Sequence, residues 1–533
     1  MKRIFHSGTM KKNKFIDLKA IASDAMRKYG FEPGFSNAVM KEVESLDETN
    51  DPDFGSNVQD LRSLLWSSID NYDSMDLDQI EYCERGPGDE IHVKVAIADV
   101  DHFVPKQSRT DLRAAHNGTS VYTGVEIFPM LPDRLSKGIS SLLPGDDHRA
   151  IVIEYAVLAD GDVREGAIYR ALVSNKAKLI YEEVGEWLDG ERTIPERVSA
   201  VPGLEEQIRL QALVMSRLKK YRMKQGALEL ETIEAEPIAE NGIVRDIVVQ
   251  KMNAARFIIE NFMIAANGTM VDFLGKAGIP MIQRVVRVPK YWDEIVMTAA
   301  AYREKLPREP DSKALSLFLL KRKEADPERF PDLSLTIVKL LGPGEYMTLE
   351  PGEPPTGHFG LAVTDYTHGT APNRRYVDLV NQRLVKSVLD GKECPYTTHE
   401  LYELSTWLSD REKGSKKVER FMRKAAAAVL LRDRIGETFE ALVTGVTEHG
   451  IYARMISPPA EGRIMEGEQG LRVGQKIIVR LLRTDPYNGF IDFACIQRGE
   501  SGQGIYVERA PRRGAAGQTV RRQGYGRRQK SRR

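Results

Sequence analysis

Cysteine and long apolar runs are both scarce in this 533-residue chain. Its three cysteines, Cys83, Cys394 and Cys495, are too far apart to suggest a disulfide framework or a zinc motif. No run of about 18 uncharged apolar residues is present, so we expect no membrane-spanning helix. The first residues also lack the apolar core of a signal peptide. These absences predict a cytoplasmic protein without a membrane partner.

Net charge is absent overall, because 77 Lys and Arg residues balance 77 Asp and Glu residues. The distribution is uneven: residues 501–533 carry ten basic residues against one Glu, which is +9 and leaves −9 for the rest. This tail is rich in Arg, Gly and Gln and has no apolar periodicity. This composition predicts a disordered segment that binds a polyanion. The rest of the chain, with its net negative charge, is expected to bind cations.

Aspartate is concentrated in residues 65–81, where apolar residues separate the carboxylates. Four aspartates fall within nine positions: Asp70, Asp73, Asp76 and Asp78. Partly buried carboxylates repel one another unless a cation neutralises them, so the pattern predicts a site for Mg²⁺ or Mn²⁺. A solvated acidic turn is the alternative. A calcium-binding loop is excluded, because Met75 and Tyr72 stand where Gly and a ligand are needed.

Hydrophobic periodicity divides the chain into a mixed block and a small β-rich block. Helices are predicted at 15–29, within 31–46, and at 201–225, 254–275, 312–323, 333–341, 378–389 and most of 397–431; buried strands are predicted at 91–104 and 151–158. Five short strands are predicted at 439–446, 450–455, 462–465, 476–482 and 490–494. Five strands in so short a stretch favour an OB-type Greek-key barrel.

Two further groups of residues suggest contacts with nucleic acid. Arg374 and Arg375 follow a Pro turn before a predicted helix, an arrangement suited to a phosphate clamp, although a surface Arg pair is an equal alternative. In the barrel, His449, Tyr452 and Arg454 predict base stacking and phosphate contact. Aromatic residues can instead fill a barrel core, which we favour for Phe490.

The order of these motifs resembles the RNase II/RNB exoribonuclease family. The similar segments are Ser68-Ile69-Asp70 with Asp76-Leu77-Asp78, Ile97-Ala98-Asp99-Val100, Gly118-Thr119-Ser120-Val121-Tyr122, Phe128-Pro129-Met130-Leu131-Pro132, Ile259-Glu260, His358-Phe359-Gly360-Leu361-Ala362 and Arg374-Arg375-Tyr376. They keep the family's order over roughly residues 57–400, and the barrel resembles the RNA-binding module that follows the catalytic domain in that family.

The resemblance implies an α+β fold with an RNB catalytic domain, a C-terminal five-stranded OB barrel and a disordered basic tail. The predicted boundaries are 1–50 for a short helical region, 51–432 for the catalytic domain, 433–498 for the barrel and 499–533 for the tail. It also implies a monomeric, Mg²⁺-dependent 3′→5′ exoribonuclease, with Mn²⁺ as a possible substitute. Such an enzyme processively hydrolyses single-stranded RNA to nucleoside 5′-monophosphates.

The resemblance also implies roles for individual residues. Asp70, Asp76 and Asp78 would hold the metal, and Tyr122, Tyr181 and Glu260 would contact the terminal nucleotides. Arg374, with Arg375 beside it, would grip the scissile phosphate.

Three features depart from the family pattern. Gln79 stands where the family's acidic signature has a final Asp, so it would offer only a neutral carbonyl to a metal. Asn261 replaces the second of two paired acids, and Ala371-Pro372-Asn373 replaces Ser-Pro-Ile/Met. Only 50 residues precede the predicted catalytic domain, so we expect no cold-shock-type barrels there. An RNB-fold RNA-binding protein with weakened catalysis is therefore the alternative.

Overall fold

The computed structural model describes residues 16–46, 57–231, 235–240, 243–327, 329–448 and 450–499. Its helices are α1 (Leu18–Lys28), α2 (Asn37–Glu44), α3 (Arg109–Asn117), α4 (Tyr181–Leu188), α5 (Glu196–Ser199), α6 (Leu204–Gln225), α7 (Ala254–Lys276), α8 (Trp292–Ala301), α9 (Ser312–Ala325), α10 (Phe330–Leu341), α11 (Tyr376–Leu389) and α12 (Thr398–Leu430). Residues 47–56 and the predicted tail beyond Gly499 lie outside the described residues.

The strands of the large block form one main sheet and three small ones. They are β1 (Val58–Asp60), β2 (Ser67–Asp70), β3 (Gln79–Arg85), β4 (Ile91–Ala98), β5 (Val121–Tyr122), β6 (Ile127–Phe128), β7 (His148–Val157), β8 (Val163–Val173), β9 (Ala177–Ile180), β10 (Ala235–Glu240), β11 (Ile243–Val249), β12 (Met281–Val285) and β13 (Glu345–Leu349). The main sheet has the order β1-β8-β7-β4-β3-β2-β9, with parallel pairs at β1–β8 and β2–β9. The acidic stretch is therefore the connection between the neighbouring strands β2 and β3.

The centre of the sheet is buried on both faces, as the apolar residues of β4 require. Helix α7 packs against β7 and β8, and the hydroxyl of Tyr155 on β7 donates to the Phe262 carbonyl of α7 at 3.2 Å. Among the described residues, α7 alone is long and apolar enough to cross a membrane, a test that core helices also pass. Because 61% of its apolar window is buried in this fold, α7 is placed as a core helix.

Helix α11 is buried along nearly its whole length and carries polar side chains that bond to neighbouring backbone. Gln382 Nε2 donates to the Ala98 carbonyl at the end of β4 at 2.8 Å, and Asn381 Nδ2 donates to the His368 carbonyl at 2.9 Å. Buried amides are stable only when hydrogen-bonded in this way. These contacts fix the segment before α11 beside the end of the central strands.

The second block is a closed barrel in the order β14-β15-β16-β18-β17. Its strands are β14 (Thr438–Thr447), β15 (Gly450–Met455), β16 (Glu461–Glu466), β17 (Lys476–Asp485) and β18 (Phe490–Arg498). All five predicted strands are present and close as expected for an OB barrel, so the predicted α+β class with this barrel is confirmed. The prediction that Phe490 fills the core is wrong, because its ring is 56% exposed while the alternate residues Ile491 and Phe493 face inward.

Two predicted element boundaries also need correction. The strand predicted at 91–104 ends at Ala98 and is followed by a 3₁₀ turn at Val100–His102. The turn is fixed by Asp99, whose carboxylate accepts from Lys386 Nζ on α11 at 2.7 Å. The helix predicted from residue 201 begins at Leu204, because the preceding Gly203 adopts a left-handed φ of +83° that other residues rarely take.

Candidate active site

Three aspartates of the acidic stretch lie between the end of β2 and the start of β3, and they differ in exposure. Asp70 ends β2, whereas Asp76 and Asp78 come at the end of the connection to β3. Asp78 is buried, Asp70 and Asp76 are half-buried, and Asp73 is exposed. The fold thus draws three of the four carboxylates inward, which a fully solvated acidic turn would not do.

Asp78 is joined to the segment that contains the two arginines. Its Oδ1 accepts from the Asn373 backbone amide at 2.8 Å, and its Oδ2 accepts from Arg374 Nε at 3.2 Å. Burial raises the pKa of Asp78 to about 7, even though the charge of Arg374 and the Asn373 amide act in the opposite direction. This carboxyl is therefore balanced between its two protonation states near neutral pH.

Asp76 lies beside an aromatic ring in the partly exposed region around Asp70, Asp76 and Arg374, which we call the cleft. Tyr122 at the end of β5 donates its hydroxyl to Asp76 Oδ2 at 3.4 Å, and 39% of the tyrosine is exposed. Burial and the charge of Asp70 raise the pKa of Asp76, while Arg374 lowers it. Tyr122 thus combines an accessible ring with contact to the carboxylates, which fits the predicted stacking position.

The two adjacent arginines have different environments. The Arg374 side chain is 43% exposed and reaches the cleft, whereas Arg375 is 21% exposed and pairs with the fully buried Asp378 at 2.7 Å. Burial lowers the pKa of Arg374, but the neighbouring Tyr122 and Asp78 raise it further in the opposite direction. The guanidinium therefore stays charged. The structure therefore places Arg374 in the site and Arg375 in the supporting structure behind it.

The segment that carries Arg374 is held by backbone contacts to the loop before β5. The Ser120 amide donates to the Arg374 carbonyl at 2.9 Å, and the Tyr376 amide donates to the Gly118 carbonyl at 3.0 Å. These bonds couple Arg374 to Tyr122, although more than 250 residues separate them.

Sequence reasoning missed the supporting side chains beneath this segment. Tyr346 bonds His368 Nδ1 through its hydroxyl at 2.9 Å, and Asn267 Oδ1 accepts from the Gly369 amide at 2.8 Å. A Cβ atom at Gly369 would lie 2.3 Å from Met270 Sδ of α7, so a side chain there would displace the end of this methionine. These long-range contacts leave no local signal in the sequence.

Tyr181 and Glu260 lie on helices that border the same cleft. Tyr181 begins α4, and the guanidinium carbon of Arg256 lies 4.4 Å from its ring centroid. Burial and the charge of Asp70 raise the pKa of Tyr181, which places this tyrosine within electrostatic range of the carboxylates. Glu260 on α7 is exposed and lies 3.6 Å from Arg222 Nη1 on α6. Their predicted contacts with RNA stay predictions.

Glu81 is a buried carboxylate that the sequence analysis overlooked. It lies two positions after Gln79 on β3, and the alternation of a strand puts both side chains on one face. Glu81 is fully buried, and neither carboxylate oxygen has a hydrogen-bond partner among the described residues. Burial, followed by the charge of Asp70, raises its pKa well above the ordinary value.

The carboxylates suit a hard divalent ion in donor type, charge and mutual repulsion. Among the described residues, however, no three His, Cys, Asp or Glu side chains converge to hold a metal ion. Both oxygens of Asp78 accept hydrogen bonds, whereas Asp70 accepts from the Asn71 amide and from Ser74 Oγ through Oδ1 alone. Oδ2 of Asp70 is therefore the less committed ligand. In donor chemistry these carboxylates fit a Mg²⁺ site completed by water, to which Gln79 would contribute only a carbonyl oxygen, although among the described residues they do not converge on one point.

The barrel residues predicted to bind RNA are not equally available. Tyr452 is half-buried on β15, and Arg454 Nη2 donates to Asp332 of α10 at 2.8 Å. His449 lies outside the described residues. The ion pair gives Arg454 a structural role in joining the barrel to the catalytic block, and its contact with RNA stays a prediction.

The fold and site together define a class of protein. Residues 58–391 match the RNB domain, and residues 437–495 match the RNase II-type exonuclease C-terminal S1 domain. The chain belongs to the RNB-domain family, as the resemblance in its sequence predicted.

The curated relatives include several proteins named Ribonuclease R. Ribonuclease R of Aquifex aeolicus is 29% identical over 520 residues, which cover 92% of this chain and 71% of the relative. Among eight such relatives the covered share of the relative falls from 71% to 50%, so each is considerably longer than the matched region.

Solved structures support the fold. Mycoplasma genitalium RNase R in complex with ribose methylated single-stranded RNA superposes with a TM-score of 0.80 at 23% identity, covering 90% of this chain and 78% of that one. Yeast Ssd1, described as a pseudonuclease, has a TM-score of 0.64 at 13% identity, covering 87% of this chain and 58% of that one. The fold is thus shared by proteins described as a nuclease and as a pseudonuclease.

Proposed function

We propose that this chain is a 3′→5′ exoribonuclease that processively hydrolyses single-stranded RNA to nucleoside 5′-monophosphates with Mg²⁺. The central observation is the contact between Asp78 and Arg374, which brings a carboxylate and a cation to one point of the cleft. Membership of the RNB-domain family and the relatives named Ribonuclease R support the choice of substrate and reaction. The predicted cytoplasmic location and monomeric state belong to the same proposal.

The cleft offers different groups to the base and to the phosphate of a terminal nucleotide. The exposed ring of Tyr122 can stack on a base, an interaction worth about 1–3 kcal/mol per base. Arg374 binds Asp78 through Nε, which leaves its two terminal nitrogens to grip a phosphate. A strand that enters with its 3′ end at Tyr122 would present its last phosphodiester to Arg374.

Hydrolysis requires charge stabilisation on the phosphate and a deprotonated water. A divalent ion at Asp70, Asp76 and Asp78 would lower the pKa of a bound water and offset the repulsion between these carboxylates. Arg374 would stabilise the negative charge that grows on the phosphate oxygens, because its guanidinium is held in place before the substrate arrives. Tyr122 would hold the base so that the phosphate cannot slide past Arg374.

The proposal is tested with a 5′-labelled single-stranded oligoribonucleotide in Mg²⁺, with and without EDTA. We expect a ladder that shortens from the 3′ end, release of nucleoside 5′-monophosphates, and no cleavage in EDTA. Intact RNA under every condition, in a protein that still binds it, would contradict the proposal.

A catalytically weakened RNA-binding protein is the second candidate. It is favoured by Gln79 in place of a carboxylate and by the absence of a converged three-ligand cluster among the described residues. Restoration of cleavage by Gln79→Asp in an otherwise inactive protein would identify this case. Equal inactivity of both proteins with Mg²⁺ and Mn²⁺ would show that more than Gln79 has changed.

A further inference from the structure

A cavity of about 880 Å³ lies between α6, the start of α7 and α9. Its lysines are Lys219, Lys220, Lys224 and Lys313, and its apolar lining includes Met215, Met223, Met252, Phe257 and Leu317. Asp189 is the one acidic residue among the described lining residues, and its Oδ2 already accepts from the Ala254 amide of α7 at 3.4 Å. The cavity therefore combines a net positive charge with an apolar wall.

Three of the lysines have no carboxylate partner among the described residues: Lys220, Lys224 and Lys313, all of them exposed. Lys219 has one, since it lies 3.5 Å from Glu229, and its Nζ also lies 3.7 Å from the centroid of the Phe257 ring. Two lining residues leave large apolar surfaces uncovered, because Met252 is 46% exposed and Leu317 is 57% exposed. Such a combination suits a ligand with an anionic part and a flat apolar part.

The shape of the cavity is fixed by close packing. Gly226 ends α6 with a φ of +100°, and a Cβ atom there would lie 2.8 Å from the Lys313 backbone, so α9 can approach α6 closely. On the other side, Gly185 of α4 packs so tightly against Asn253 that any side chain would collide with it. The cavity therefore depends on close packing at both glycines and is part of the fold.

Hydrogen bonds also connect the wall of the cavity to the candidate active site. Asn253 caps α7 by accepting from the Arg256 amide at 3.0 Å, and its Nδ2 donates to the Tyr181 carbonyl at 2.9 Å. Arg256 in turn lies over the Tyr181 ring and donates to Asn71 beside Asp70 at 3.4 Å. A ligand that touches Asn253 would therefore contact a residue that is hydrogen-bonded to both Tyr181 and Arg256, and Arg256 reaches the residue next to Asp70.

We infer that this cavity binds a nucleotide through its phosphate and its base, at a second site separate from the catalytic cleft. The lysines would hold the phosphate, and the methionine and phenylalanine side chains would cover the base. The choice of a nucleotide rests on the proposed function, because a nucleotide unit is both the product and the repeating unit of the substrate. The ligand is thus either a free nucleoside 5′-monophosphate or a nucleotide of the bound strand.

Calorimetric titration with adenosine 5′-monophosphate tests the inference, with adenosine and inorganic phosphate as partial ligands. The pocket variant is Lys220→Ala with Lys224→Ala; the control is Lys19→Ala with Lys28→Ala, two exposed lysines of α1. We expect the pocket variant to weaken nucleotide binding by about tenfold and the control to leave it unchanged. Each partial ligand should bind more weakly than the whole nucleotide. Equal affinity in both variants would overturn the inference.

Kinetics separate the two sources of the nucleotide. If the free product binds, adenosine 5′-monophosphate should inhibit hydrolysis, and the pocket variant should lose that inhibition. If the strand binds, the pocket variant should raise KM for long RNA and leave KM unchanged for RNA that fills only the cleft. The calorimetric titration measures binding and requires no cleavage. It therefore tests the second site even if the chain does not hydrolyse RNA.

Discussion

Arg374 Nε donates to Asp78 Oδ2 at 3.2 Å, across 296 positions of the chain. The partner oxygen, Asp78 Oδ1, accepts from the amide of Asn373, so the same segment holds both oxygens of one carboxylate. Such a contact removes part of the cost of burying Asp78, because an isolated buried charge would be strongly unfavourable. It also places the exposed end of Arg374 where a phosphate can reach it.

The first prediction compares the two adjacent arginines. Arg374→Ala should lower turnover at saturating RNA far more than affinity, since its guanidinium is needed most as charge develops on the phosphate. Arg375→Ala should instead lower the thermal unfolding midpoint, because it removes the cation 2.7 Å from buried Asp378 and leaves that carboxylate with the Ala371 amide as its donor. Single-turnover kinetics and thermal unfolding of both variants separate these roles. If Arg374→Ala loses affinity but keeps its turnover, Arg374 only binds RNA.

The second prediction concerns Gln79. We expect the wild-type protein to be active, because Mg²⁺ accepts water in its coordination shell and three aspartates remain. Gln79→Asp should need less Mg²⁺ for half-maximal cleavage, since a carboxylate binds the ion more tightly than an amide carbonyl does. Mg²⁺ titration of the cleavage rate measures this, with Gln79→Asn as the neutral control. An identical Mg²⁺ requirement in all three proteins would exclude Gln79 from the metal site.

The third prediction follows from the pKa of about 7 for Asp78. Below that pH a proton occupies the carboxyl and competes with a metal ion, so apparent Mg²⁺ affinity should fall as pH decreases from 8 to 6. One competing proton makes the fall approach about tenfold per pH unit. Calorimetric Mg²⁺ titration at several pH values measures this. Asp78→Asn should bind more weakly and lose this dependence, and an unchanged slope in that variant would assign the proton to another group.

The fourth prediction concerns the stability cost of Glu81. Its folded-state pKa lies well above the ordinary value of 4.5, so the unfolded state ionises first as pH rises and the folded state loses stability between that value and the folded pKa. Glu81→Met should therefore raise the free energy of unfolding by about 1–3 kcal/mol at neutral pH and by less near pH 4. Urea unfolding at both pH values measures the difference, and Glu81→Gln controls for the loss of charge alone. A variant less stable than the wild type at neutral pH would show that Glu81 has a partner in solution.

The sequence predicted those features that local pattern determines. Long helices such as α7 and α12 and all five barrel strands were predicted within a few residues, because their periodicity extends over many positions. The prediction for Phe490 was wrong because it relied on the aromatic side chain alone. In β18 this residue pairs with Asp485 of β17, and the register of the strand points its side chain outward. Register depends on pairing with another strand and cannot be inferred from residue type.

The residues of the candidate site could be predicted from the sequence, but the side chains that contact them could not. The interleaved aspartates and the paired arginines marked the right segments, but nothing local showed that Arg374 faces the cleft while Arg375 is held by Asp378. Glu81 escaped notice because β3 also contains Gln79, Glu84 and Arg85, so a glutamate in this strand resembles an ordinary surface residue. Its isolation depends on the strands and helices that surround it, which only the folded chain reveals.

Cleavage of a 5′-labelled single-stranded RNA by wild type, Asp78→Asn and Asp73→Asn tests the central claim most directly. Asp73 is the matched control, because it belongs to the same acidic stretch but is exposed. We predict that wild type and Asp73→Asn shorten the RNA from its 3′ end, whereas Asp78→Asn binds the RNA and leaves it intact. Cleavage by Asp78→Asn within about tenfold of the wild-type rate at saturating Mg²⁺ would contradict the account, since so small a loss equals only about 1.4 kcal/mol of transition-state stabilisation.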